Sequence, residues 1–292
     1  MKVAITGAAG LFGHALVKVF GESHTVCPLT HRDVDITCED AVDAILAKIK
    51  PDVVVHAAAI PNPDVCEENP TLAYAVNVHG TRYIVSGALR VGARVAYIST
   101  DAVFDGQKTS PYVESDPPAP ATVYGRTKLR AEGITRATGE GWIFRVSVLF
   151  GPGKENFVEK GLRRAADGEP YVVAADQVGN ATYTIDAAQK IREVIESRRY
   201  GLYHVANAGF CTRLELARQA AQWAGIDPAR ITGKPLNEMG RPAKRLPYSV
   251  MDCAALERAG FPPLRPWTEV LKEYVSEYIS SLNTRSAATP LA

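Results

Sequence analysis

An α/β chain, built as a doubly wound parallel sheet with a smaller C-terminal lobe, is what this sequence predicts. Three observations predict it. Short apolar runs alternate with helix-length amphipathic segments over the first 150 residues. The first run, at 2–6, leads directly into Gly7, Gly10 and Gly13 before a helical stretch begins. Beyond Gly151-Pro152-Gly153 the alternation loosens and prolines gather, which marks a change of architecture.

The run at 2–6 is apolar throughout, as a strand covered on both faces of a parallel sheet should be. Further strands are expected at 25–28, 53–57, 94–99 and 141–146. Helical patterns lie between them at 11–20, 38–49, 70–91 and 123–137. Strands joined through helices cross over right-handed, which gives a Rossmann-like sheet for residues 1–150. Helical pieces at 158–166 and 186–196 and a strand-like run at 202–205 follow, and 181–206 is expected to return to the first domain. Residues 151–180 and 207–282 are left for the lobe, with amphipathic helices at 213–224 and 267–280. The end of the chain, 283–292, reads as a flexible tail.

The glycines carry the first functional hint. They permit a tight turn, let backbone approach a pyrophosphate, and let helix pack closely on strand. Free amides and the positive end of the helix then face an anion. The spacing is G-x-x-G-x-x-G rather than G-x-G-x-x-G, and a purely structural turn is the competing interpretation. His56-Ala57-Ala58-Ala59 after the third strand offers small side chains beside which a flat ring or ribose fits, although tight packing alone also explains them.

Composition narrows the class. Hydrophobic residues make up 46% and charged residues 22% of the chain, ordinary for a soluble globular protein. A formal net charge of +1 argues against a nucleic-acid face or a polybasic membrane anchor. No apolar run approaches the roughly 20 residues that span a bilayer, and Met1-Lys2 opens straight into the first strand, so neither a membrane span nor a signal peptide is expected. Cys27, Cys38, Cys66, Cys211 and Cys253 are scattered, which suits reduced thiols in the cytoplasm. The six histidines lack ligand spacing, and no metal site is expected. A homodimer is left open, because an interface helix reads like any amphipathic helix.

Tyr124-Gly125-Arg126-Thr127-Lys128 supplies the chemistry. On a helix Tyr124 and Lys128 share a face, four residues apart. An ammonium beside a phenol favours the phenolate and would draw the tyrosine from about 10 towards neutrality. Such a group passes a proton at a carbonyl or carbinol. Taken alone the pair is also what chance puts on a helix surface. Ser99-Thr100-Asp101 ends the preceding strand and could set a hydroxyl beside the phenol, or serve only as a turn or cap. Asn77, a poor helix former within 70–91, is expected to tie down neighbouring backbone.

Together these residues resemble the extended short-chain dehydrogenase/reductase family, and within it the dTDP-4-dehydrorhamnose reductase branch. The resemblance spans nearly the whole chain: T-G-A-A-G-L-F-G at 6–13, D-I-T at 35–37, H-A-A-A at 56–59, S-T-D-A-V-F-D-G at 99–106, Y-G-R-T-K at 124–128 and F-R-V-S-V-L-F-G at 144–151. Arg241-Pro242 and the run from Pro247 to Asp252 look like the family's late R-P and S-x-L-D region.

The resemblance implies reduction of the C4 ketone of a nucleotide-linked deoxysugar. Thr100 would be the catalytic hydroxyl, Tyr124 the general acid, and Lys128 the residue that lowers the tyrosine pKa and holds the nicotinamide ribose. Gly7, Gly10 and Gly13 would form the dinucleotide turn, with Leu11 and Phe12 offering backbone to the pyrophosphate. Asp35 and Ile36 would flank the adenine, and Ala57, Ala58 and Ala59 the nicotinamide. Thr100, Asp101 and Val148 would face the substrate. The chain departs from the family pattern at Ala102 and Val148, where aromatic residues are usual, and at Val65, where lysine is common. Those departures bear on the sugar rather than on the cofactor.

In Thr30-His31-Arg32-Asp33, after the second strand, cationic side chains precede the acid. Arginine suits a 2′-phosphate, so NADPH is expected, through Arg32, with NADH the alternative. Two other functions stay open: a nucleotide-sugar epimerase of the same fold, or a non-catalytic NADP-binding regulatory subunit resembling the beta subunit of methionine adenosyltransferase. A 4,6-dehydratase is disfavoured, because Asp101 is followed by Ala102 and not by the second acid such enzymes carry.

Overall fold

The computed structural model describes residues 1–287. In chain order its main elements are β1 (Lys2–Thr6), α1 (Leu11–Gly21), β2 (Thr25–Leu29), α2 (Glu39–Ile49), β3 (Val53–His56), α3 (Thr81–Arg90), β4 (Arg94–Thr100), α4 (Val123–Arg136), β5 (Gly141–Val146), α5 (Phe157–Ala166), β6 (Tyr171–Ala174), α6 (Thr184–Glu196), β7 (Gly201–His204), α7 (Arg213–Trp223), β8 (Ile231–Lys234) and α8 (Trp267–Ala287). Six strands form one parallel sheet in the order β7-β5-β4-β3-β1-β2, the doubly wound arrangement expected. Pro28 lies in β2, an edge strand, where the missing backbone donor costs no ladder bond.

Strand alternation sorts the apolar residues onto two faces. Val3, Ile5, Val53, Val55, Phe144 and Val146 meet Leu16 and Phe20 of α1 and Ile191 of α6. Ala4, Val54 and Val95 meet Val42 and Leu46 of α2 and Ile84 of α3 on the other side. A separate core lies in the C-terminal part, where β6 pairs parallel with β8 and Leu162, Tyr171, Leu216, Val270 and Tyr274 pack together. The C-terminal helix runs on to Ala287, beyond the expected end at residue 280, so the tail expected from 283 is helical through 287. Residues 288–292 of that expected tail lie outside the described residues. The helix expected at 70–91 is three pieces, Pro70–Tyr74, a wide π turn at Ala75–Gly80, and α3. Among the described residues no helix is long and apolar enough to cross a membrane.

Candidate active site

At the carboxyl ends of β1 and β3, where the strand order reverses, a groove of about 910 Å³ opens. Gly7 has a left-handed φ of 69° and lies so near the next loop that a Cβ would stand 2.7 Å from Ala58 N. At Gly13 an added Cβ would come within 2.0 Å of the Gly7 carbonyl oxygen. No side chain caps the N-terminus of α1 and its first turn carries no acid, so its amides are free for an anion. Gly7, Gly10, Leu11, Phe12, Gly13, Asp35, Ile36, Ala57, Ala58 and Ala59 all line this groove. These residues fit a dinucleotide: close-approach backbone at one end, and small side chains leading to Tyr124 and Lys128 at the other.

Helix α4 begins at a Thr122 cap, whose Oγ1 accepts from Gly125 N at 3.0 Å. Gly125 is required there, since a Cβ would meet the Ala102 carbonyl oxygen at 2.1 Å. That close approach fixes the start of the helix beside Ala102, and the half-buried Tyr124 phenol feels the Thr100 hydroxyl, which favours the phenolate. One turn on, Lys128 is 3% exposed, donates from Nζ to Ile98 O at 2.6 Å, and stands 4.2 Å above the Tyr97 ring centre. Burial pulls its pKa down to about 7. Burial likewise pushes the Tyr124 phenol above the ordinary tyrosine value, against the expected lowering. The ammonium is committed to Ile98 O and the Tyr97 ring, and desolvation dominates the phenol.

The surrounding polar residues hold this geometry. Glu132 of α4 accepts from Ser99 Oγ at 2.6 Å and from Arg145 Nε and Nη2 at 2.8 and 2.7 Å, which pins the helix to β4 and β5. Asn77 exchanges hydrogen bonds with the Ile60 backbone and donates to Thr127 Oγ1 at 3.0 Å, so it braces the loop after β3 against α4. His56 sits between Thr6 Oγ1 at 2.7 Å and Thr81 Oγ1 at 3.0 Å, and burial depresses its pKa to about 3, which keeps it neutral.

A second cavity of about 530 Å³ adjoins the first, and Thr100, Asp101 and Tyr124 line both. Its wall carries Lys160, Arg164, Arg213, Arg241, Lys244 and Arg245 against Asp64 and Asp101. Arg245 forks onto Asp64 at 2.9 and 2.7 Å, and Arg241 lies 3.9 Å from the same carboxylate. Arg213 is half-buried, and burial lowers its pKa. Asp101 accepts three hydroxyls: Thr100 at 2.8 Å, Ser147 at 2.7 Å and Ser249 at 2.7 Å.

The structure departs from two residue expectations. Arg32 is exposed and does not line the groove; Asp33 accepts from Thr30 N and Oγ1 at 2.8 and 2.6 Å, a turn that presents His31 instead. Val148 lines the dinucleotide groove and not the second cavity, in a strained backbone conformation with φ of 35°. Sequence reasoning missed Ser147, Ser249 and most of the cationic wall. Arg241 and Ser249 belong to the late R-P and S-x-L-D-like segments, while Lys160, Arg164 and Arg213 lie in helix patterns that carry no local sign of a shared cavity.

Comparison with known proteins agrees with the resemblance seen in the motifs. The family described as the RmlD substrate binding domain matches residues 1–280. The spore coat polysaccharide biosynthesis protein SpsK of Bacillus subtilis is 36% identical over 96% of this chain and 99% of its own length. A dTDP-4-dehydrorhamnose reductase of Streptomyces griseus is 37% identical over 92% of this chain and 91% of that protein. The crystal structure of a Bacillus anthracis dTDP-4-dehydrorhamnose reductase in complex with NADP superimposes with a TM-score of 0.91 at 33% identity, covering 94% of this chain and 99% of that one. The chain therefore belongs to the RmlD substrate-binding-domain family and is an oxidoreductase of the extended short-chain dehydrogenase/reductase type.

Proposed function

We propose that this enzyme uses NADPH to reduce the C4 ketone of a nucleotide-linked deoxysugar. The observation that carries the reading is the shared wall: Thr100, Asp101 and Tyr124 border both the groove that fits a dinucleotide and the cation-lined cavity beside it. The cations suit a sugar-nucleotide diphosphate, with Arg213 the best placed, because burial makes its charge costly until an anion joins it. The relatives named as dTDP-4-dehydrorhamnose reductases, one of them in complex with NADP, support the same substrate class and cofactor.

In this reading residues 1–150 with 181–206 hold the cofactor, and residues 151–180 and 207–282 form the lobe over the sugar nucleotide. The α1 amides near Leu11 and Phe12 take the pyrophosphate, Asp35 and Ile36 the adenosine, and Lys128 the nicotinamide ribose. NADPH supplies the hydride that reaches the ketone carbon. Tyr124 supplies the proton to the developing alkoxide, and its raised pKa keeps that proton in place at neutral pH. Lys128 then serves mainly to hold the ribose and to stabilise the phenolate as it forms, rather than to ionise Tyr124 beforehand.

The test is a panel of 4-ketosugar nucleotides assayed by loss of NADPH absorbance. Turnover with a dTDP-linked 4-ketosugar is expected. Tight NADPH binding with no consumption on any member of the panel would overturn the substrate reading, and a strong preference for NADH would overturn the cofactor.

A further inference from the structure

The late segment 247–252 borders the second cavity through Ser249 and is held from two sides. Tyr112 N donates to Val250 O and Asp252 N to Tyr112 O, both at 2.8 Å, while Ser249 N donates to Val178 O at 2.9 Å. This puts Ser249, 2% exposed, with its Oγ 2.7 Å from Asp101 Oδ2. Ser147, also 2% exposed, donates to the same oxygen at 2.7 Å. The other carboxylate oxygen, Oδ1, takes the Thr100 hydroxyl at 2.8 Å.

A hydroxyl has one proton to give. The Thr100 proton is given to Asp101, and Ala102 N donates to Thr100 Oγ1 at 3.2 Å. Thr100 therefore has no proton left to give to a substrate ketone, and Tyr124 is the remaining hydroxyl donor beside it.

We propose that Ser249 and Ser147 are positioning residues for the proton transfer. By occupying Oδ2 they turn the Asp101 carboxylate so that Oδ1 holds the Thr100 proton, which leaves Tyr124 as the proton donor facing the substrate ketone. The proposal rests on Tyr124 being the acid. It makes a segment far along the chain part of the catalytic apparatus: Ser249 borders the second cavity, but its hydroxyl is given to Asp101.

The experiment compares Ser249→Ala, Ser249→Thr and the double variant Ser147→Ala/Ser249→Ala with the wild type. Each hydroxyl holds Oδ2 through one hydrogen bond, so each single variant should lose about tenfold in kcat and the double variant about a hundredfold. In Ser249→Ala the KM for NADPH should stay within about twofold, since Ser249 does not line the dinucleotide groove, and Ser249→Thr should restore turnover. A double variant with wild-type kcat, or a Ser249→Ala variant losing kcat and NADPH affinity alike, overturns the proposal. Should the double variant not fold, Ser249→Ala against Ser249→Thr decides: a loss that threonine restores supports positioning, and equal turnover overturns it. If the wild type itself oxidises no NADPH, the reductase reading has failed on its own. The positioning claim is then decided by the crystal structure of Ser147→Ala/Ser249→Ala: Thr100 turned towards Tyr124 supports it, and an unmoved Thr100–Asp101 contact overturns it.

Discussion

Replacing Lys128 with methionine isolates the cost of burying a charge in the site. The side chain keeps its length and apolar stem and loses only the ammonium. In the folded protein burial brings the Lys128 pKa from 10.5 to about 7, which corresponds to about 5 kcal/mol against folding while the lysine must carry its proton. The sign follows from proton counting. Between pH 7 and 10.5 the unfolded chain binds more protons at this residue than the folded one, so stability rises with pH there. The penalty is fully present below pH 7. At pH 9 the folded lysine is neutral, and only the proton affinity of the unfolded chain is left, about 2 kcal/mol. Lys128→Met should therefore gain stability relative to wild type at pH 6, and that advantage should shrink by about 2 to 3 kcal/mol at pH 9. Loss of the neutral amine's hydrogen bond to Ile98 O offsets both values equally, and the extra strength of that bond in the ammonium form is already contained in the folded pKa. Urea unfolding of both proteins at the two pH values measures the change directly. A stability difference that stays constant from pH 6 to pH 9 would show that Lys128 is not desolvated as described.

Three further outcomes are expected. Tyr124→Phe should lower kcat by about two to four orders of magnitude while leaving NADPH affinity, read by fluorescence titration, unchanged; unaltered turnover removes Tyr124 from the reaction. Gly13→Ala should weaken NADPH binding by at least about tenfold and cost about 1 to 3 kcal/mol of stability, because the new methyl would meet the Gly7 carbonyl oxygen at 2.0 Å; wild-type affinity and melting temperature would contradict the tight turn. Arg213→Gln should raise the KM for the sugar nucleotide by about ten- to a hundredfold and leave that for NADPH alone. Equal effects on both substrates would place Arg213 elsewhere in the mechanism.

What could be read in advance was whatever depends on neighbours in the chain. Strands β1 and β5 coincide with their expected bounds, and β3 and β4 differ by one residue at one end, because apolar runs closed by glycine or charge leave little choice. The glycine turn and the Tyr124–Lys128 pair are local patterns too. Asn77 showed as a poor helix former, although the π turn around it did not, since its bonds to Ile60 and Thr127 are tertiary. The hydroxyls on Asp101 and the fork of Arg245 on Asp64 escaped for the same reason: each joins residues far apart in sequence. The expected phenolate-favouring effect of Lys128 failed because four-residue spacing fixes which face a side chain is on, not where its charge is directed.

The order in which the two cores are assembled along the chain has a practical outcome for protein engineering. After Phe150, Val158 and Tyr171 have joined the C-terminal core, the chain goes back through Ile191 and Tyr203 to the sheet, then forward again through Leu216 and Val270. A chimera that exchanges the C-terminal core with that of a relative by one crossover would mismatch either β7 or the helix α6 packed on α1. Only grafts with paired junctions on both sides of that return would keep each hydrophobic core from a single parent.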